Sequence, residues 1–191
     1  MRAEGESYSM NAFVQAPTWR VLDAWPSADR PEHLWPYIAE TGSLTNRLRE
    51  RAGDDFHLRI LNERQLPLPA ADAGLLGAAA AEPAFQREVY ICGLRPLVYA
   101  RSIAAKSVGG ERWLKDLGER PLGERVFAEK GARRSPIQAA LVYPGQPLFE
   151  EAFAGMRERP PVDALWGRRS VLMADGAHIL IYECFLPGLS S

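Results

Sequence analysis

The sequence predicts a single α+β domain: an antiparallel sheet of about six strands with helices packed on one side of it. Three observations carry that expectation. Apolar runs separated by the short turns Gly93-Leu94-Arg95-Pro96 and Ala174-Asp175-Gly176-Ala177 read as hairpins rather than βαβ units. Helical spacing of apolar residues is concentrated in the first quarter of the chain. No internal repeat or linker divides the 191 residues, a length that can bury a sizeable core as one domain.

The elements follow in chain order. Residues 1–27 are expected to be a flexible N-terminal segment, polar and small at its start, with the domain over 28–191. Pro31-Glu32 can open a helix with Leu34, Trp35, Ile38 and Ala39 at helical spacing, kept short by Pro36 and broken at Thr41-Gly42. Ser43 is a good N-cap for a second helix, Leu44 to Arg51, with Leu44 and Leu48 inward and Arg47, Arg49 and Arg51 on a solvated face. Phe56 to Gln65 alternates as a strand, and the Pro- and Ala-rich segment from Pro67 to Ala81 reads as a loop or short helix. Strands at Phe85–Cys92 and Leu97–Ala105 form the first hairpin. A short helix over Arg112–Leu117 stops at Gly118, and Arg120 to Gly123 is a tight connection into Glu124–Lys130. A strand over Ile137–Tyr143 and a loop with a short helix at Phe149–Met156 precede the final hairpin. Its returning strand, His178–Leu186, is apolar on both parities and should be central and covered on both faces.

Lys+Arg 23 against Asp+Glu 24 leaves a net charge of −1, without the basic excess of a nucleic-acid binder. The expected partner is a small molecule. The N-terminus lacks the basic start and apolar run of a signal peptide, and no window approaches the ~18 apolar residues of a membrane span. Two distant cysteines, Cys92 and Cys184, read as packed free thiols, and a cytoplasmic location fits. His33, His57 and His178 lack metal spacing, and no GxSxG, P-loop, GxGxxG or HExxH occurs. No metal or nucleotide cofactor is expected.

Two charges sit where apolar residues belong. Glu183 interrupts the row of Ile181 and Phe185, and Arg87 shares parity with Phe85, Val89 and Ile91. Such charges cost several kcal/mol unless paired. They either form a buried salt bridge that fixes register, or line a cavity and engage a ligand, Arg87 as the partner of a carboxylate and Glu183 as partner or acid toward a hydroxyl. Arg101, between Ala100 and Ser102 on the neighbouring strand, is a candidate second anion anchor. Arg168 and Arg169, after Trp166-Gly167, read as a stacked Arg–Trp contact or a surface pair.

Two blocks resemble a known family. Leu117 to Phe127, LGERPLGERVF, resembles the LGxxPLGxxLF segment of the chorismate pyruvate-lyases. LWGRRS at Leu165–Ser170 and ECFLP at Glu183–Pro187 resemble that family's LWGRRS and ELFLP at matching separation. Arg87-Glu88-Val89 and Ser43-Leu44-Thr45-Asn46-Arg47 are similar to its RE-hydrophobic strand and SMTxRF helix start. The resemblance implies a cofactor-free, monomeric lyase that converts chorismate to 4-hydroxybenzoate and pyruvate, the first step of ubiquinone synthesis. It further implies a buried site under helical flaps, with slow product release. By position, Arg87 matches the residue holding the ring carboxylate, Glu183 the residue beside the 4-hydroxyl, and Leu122 a pocket residue contributing its backbone. Leu44 stands where the family usually has methionine. Chorismate carries two carboxylates, and the expected anchor for the enolpyruvyl carboxylate is Arg101, with Arg47 or Arg169 as fallbacks. The rival expectation is a small-acid-sensing or aromatic-acid-binding module of the same fold, without catalysis. About fifty residues precede the first expected strand, too few for a winged helix-turn-helix ahead of a sensing domain.

Overall fold

A computed structural model of the chain describes residues 15–190. In order, the elements are β1 (Arg20–Val21), α1 (Trp35–Ile38), α2 (Leu44–Ala52), β2 (His57–Pro67), α3 (Ala70–Leu76), β3 (Pro83–Cys92) and β4 (Pro96–Ala105). There follow α4 (Glu111–Lys115), α5 (Leu122–Phe127), β5 (Arg133–Arg134), β6 (Gln138–Val142), α6 (Pro147–Ala154), β7 (Leu165–Ala174) and β8 (Ala177–Phe185). The strands form one antiparallel sheet in the order β1-β6-β7-β8-β4-β3-β2, with β5 alongside β7.

Local chemistry explains the long elements. Asp175 and Gly176 take positive φ of 48° and 70°, the geometry a two-residue hairpin turn requires between β7 and β8. The Ser43 hydroxyl accepts the Asn46 N–H at 3.2 Å and caps α2. Leu48 of α2 and Ile38 of α1 are fully buried, each worth about 1.5–3 kcal/mol of transfer free energy.

The six long strands expected from the sequence are β2, β3, β4, β6, β7 and β8. The two further strands, β1 and β5, are two-residue ladders, too short to show a period. The segment after Arg120-Pro121 is helix α5 from Leu122 onward. Of the segment expected to be flexible, residues 1–14 lie outside the described residues. Arg20–Val21 pairs with β6, and buried Trp25 donates its indole N–H to the Ala139 carbonyl at 3.3 Å.

Helices cover both faces of the sheet rather than one. From Ala84 to Cys92, β3 is buried at every position, so each parity needs a cover. On one face α3 and α6 pack against Tyr90, Tyr99 and Tyr182 around a core that includes Leu76, Phe149 and Phe153. On the other, α1 and α2 cover Ile91, Val98 and Phe185, while α4 and α5 cover Phe85, Leu172 and Ile181. The gap between those two apolar clusters leaves a cavity over the middle of the sheet.

Candidate active site

The cavity floor is sheet and its cover is helical. Arg87 and Val89 come from β3, Ala100 and Ser102 from β4, Ile181 and Glu183 from β8, and Arg134 from β5. The cover is Ser43, Leu44 and Thr45 at the start of α2, with Arg120 to Gly123 leading into α5. Gly123 lies so close to the α2 start that a Cβ there would stand 3.3 Å from the Ser43 hydroxyl. The cavity encloses only about 50 Å³ open to water-sized molecules, so the cover lies close over the sheet. Leu44 and Leu122 are the first residues of their helices, so neither N–H has an intrahelical acceptor.

Register explains how the charges converge. Arg87 pairs across the sheet with Ser102, and Ser102 with Ile181, two residues before Glu183. Arg87 and Glu183 therefore stand on the same face, about 10 Å apart laterally and about 7 Å along the strands at their backbones. They do not pair with each other. Arg87 donates to the Glu63 carboxylate at 2.6 Å and to the Gly118 carbonyl at 2.5 Å. Burial lowers the Arg87 guanidinium below its ordinary pKa, against the opposing charge and hydrogen bond of Glu63.

Glu183 accepts from Arg168 Nε at 2.5 Å. Arg168 is 1% exposed and also donates to the carbonyls of Tyr37, Ile38 and Glu40, at 3.0, 3.3 and 2.8 Å. It is neither the stacked contact nor the surface pair expected of it; it fixes Glu183 to the chain leading into α2. A carboxylate paired in this way accepts hydrogen bonds.

The structure brings Arg87, Glu183, Leu44 and Leu122 to one cavity and leaves Arg101 out of it. Arg101 lies opposite Tyr182 in the register, on the other face of the sheet. There it pairs with Glu151 of α6 at 2.7 Å and lies 4.7 Å from the Tyr182 ring. The apolar row around it is indeed buried, but under α3 and α6. The fallbacks also point elsewhere: Arg47 pairs with Glu40 on the outside of α2, while Arg169 donates to Gln138 and stacks on Trp19. Among the described residues, no group of three His, Cys, Asp or Glu side chains is arranged to hold a metal ion.

The chorismate lyase family model matches residues 15–191. The chain belongs to the chorismate lyase family. It is 36% identical to the probable chorismate pyruvate-lyase of Azoarcus sp. (strain BH72), covering 87% of this chain and 90% of that one. It is 37% identical to the protein so named from Thiobacillus denitrificans, covering 83% and 85%. Among solved structures, it resembles the effector domain of PhnF from Mycobacterium smegmatis, with a TM-score of 0.54 at 14% identity, covering 76% and 89%. A GntR-family transcriptional regulator from Bacillus cereus follows at 0.51 and 12% identity, covering 71% and 94%. At those identities the likeness is one of fold alone.

Three charged residues in or beside the cavity of this chorismate lyase family member escape a reading of the sequence. Arg134 belongs to a two-residue strand with no pattern. Arg168 lies in a motif whose arginines look exposed beside Trp166. Glu63 sits on the edge strand β2, where a carboxylate is ordinary until its partner on β3 is known.

Proposed function

We propose that the chain is a chorismate pyruvate-lyase, converting chorismate to 4-hydroxybenzoate and pyruvate without a cofactor, as a cytoplasmic monomer at the first step of ubiquinone synthesis. One observation carries the reading: Arg87 and Glu183, buried on different strands, face one cavity and hold other partners than each other. A carboxylate-bearing ring with a hydroxyl at its far end spans such a pair. In this reading Arg87, oriented by Glu63, binds the ring carboxylate, and Glu183 accepts from the 4-hydroxyl. The N–H groups of Leu44 and Leu122 offer further donors, and a backbone contact at Leu44 is indifferent to the usual methionine.

The reaction asks little covalent chemistry of the protein. The C3–oxygen bond breaks, the C4 hydrogen passes to the methylene carbon of the departing enolpyruvyl group, and the ring becomes aromatic. Holding the side chain over C4 and excluding water supply the orientation such a step needs. The Arg168 pair favours Glu183 as the residue that positions the 4-hydroxyl over Glu183 as a general acid.

The test is chorismate turnover followed as pyruvate and 4-hydroxybenzoate release, in the wild type and in Arg87→Ala and Glu183→Ala. Loss of both products in both variants is expected. Near-wild-type rates in both would sink the site assignment, and binding of chorismate with no pyruvate release by the wild type would make the chain a binding module.

A further inference from the structure

Chorismate differs from its aromatic product by a second carboxylate, and that carboxylate has a required place. The enolpyruvyl ether at C3 is adjacent to the C4 hydroxyl, so its carboxylate must lie near Glu183 rather than near Arg87. The cations at that end differ in how they are matched. Arg168 is matched by Glu183. Arg134 lines the cavity and, among the described residues, has no carboxylate within ion-pair reach. Its Nη1 donates to the Ser170 hydroxyl at 2.6 Å and its Nη2 to the Gly42 carbonyl at 3.2 Å. Its buried Nε has no hydrogen-bond partner; the same holds for Arg168 Nη2, so it is the missing carboxylate that sets Arg134 apart.

A desolvated guanidinium with only neutral acceptors and the Phe127 ring, 5.3 Å away, is costly, and a ligand carboxylate would relieve that cost. We propose, on the basis of the lyase reading, that Arg134 binds the enolpyruvyl carboxylate and so distinguishes the dicarboxylate substrate from the monocarboxylate product. Its surroundings agree. Burial brings its pKa down to about 10, against the pull of the Glu183 charge. Ser170 on β7 and Gly42, just before the α2 cap, fix the fork between the sheet and the cover. Arg120, the other unmatched arginine lining the cavity, is exposed and donates to the Leu117 and Asp116 carbonyls, where water can satisfy it. Once pyruvate has left, 4-hydroxybenzoate carries no second carboxylate for Arg134 to bind.

The experiment compares Arg134→Met and Arg134→Lys with Arg87→Ala in the full chain, measuring steady-state kinetics on chorismate and calorimetric affinity for 4-hydroxybenzoate. Arg134→Met should raise KM for chorismate about 10- to 100-fold, the scale of one charge-assisted hydrogen-bonded contact, with product affinity within about threefold of wild type. Arg134→Lys, which keeps the charge but not the fork, should fall between and serves if the methionine variant does not fold. Arg87→Ala should weaken both ligands. An unchanged KM in either Arg134 variant, an equal loss of substrate and product affinity, or a larger KM effect from Arg120→Ala would overturn the assignment. If the wild type released no pyruvate, the lyase reading would fail by itself. Calorimetric chorismate affinity of the wild type against Arg134→Met would then decide the anchor, equal affinities overturning it.

Discussion

Both faces of the sheet bury arginines and carboxylates, but the two faces are finished differently. Under α3 and α6, Arg101 pairs with Glu151, the Tyr182 hydroxyl donates to Asp72 at 2.5 Å, and Gln86 and Arg64 both donate to Glu88. Each charged group there has a charged or polar side-chain partner, although Arg101 Nε, like Arg134 Nε, is buried without one of its own. On the cavity face two pairs are likewise closed, Arg87 with Glu63 and Arg168 with Glu183, yet Arg134 is left over and space remains beside it. A buried charge is therefore no mark of a site by itself, since both faces have them. The mark is a charge left unmatched beside a cavity.

The largest expected effect separates the faces by activity. Glu183→Gln keeps the shape but loses the charged acceptor, and in the proposed reading a misplaced 4-hydroxyl should lower turnover by about 10²-fold. Glu151→Gln, an equally conservative change on the other face, should leave pyruvate release within about threefold of wild type. Equal losses from the two would abolish the distinction and make the sheet core, rather than the cavity, the seat of the effect.

Stability should separate them in a second way. Arg101→Leu alone strands Glu151 and should destabilise by about 3–5 kcal/mol in urea unfolding, whereas Arg101→Leu with Glu151→Leu should recover most of that loss. The recovered double variant should still turn over chorismate. The corresponding Arg168→Leu with Glu183→Leu should regain folding free energy without activity. A double replacement of Arg101 and Glu151 that folds well but is inactive would show that the α3–α6 network belongs to the site.

The same contrast explains what was legible in the sequence. The two misplaced charges, Glu183 and Arg87, were readable because a period of two makes a charge in an apolar row conspicuous. The Asp175-Gly176 turn and the Ser43 cap were readable because their chemistry is local. Arg101 carried the same signal as Arg87 and pointed the wrong way. Adjacent β-hairpin strands settle which face a residue takes only through their register, and Arg101 is paired across from Glu88, not Arg87. Arg134 and Arg168 were hidden for another reason. Their significance lies in partners 36 and 15 residues away and in the carbonyls ahead of α2, which no window of sequence displays.

The smallest expected effect uses acid to tell the two faces apart. Glu40 lies in the turn before α2, on the cavity side. Burial raises its carboxyl, but hydrogen bonds from Arg47 and the Gly42 N–H, with the charges of Arg47 and Arg168, outweigh burial and hold its pKa below the ordinary 4.5. Glu151, on the other face, is held above 4.5, because burial there exceeds the help of Arg101. A lowered folded-state pKa contributes stability that is present above the unfolded value and lost as pH falls through the folded one. A raised one contributes stability that is present below the unfolded value and lost as pH rises through the folded one. Glu40→Gln should therefore soften the wild type's loss of Tm below about pH 4.5, and Glu151→Gln should remove a decline that the wild type shows as pH rises above it. Melting curves between about pH 3 and 7 read both, and slopes altered in the same direction by the two variants would contradict the assignment of opposite environments to the two carboxylates.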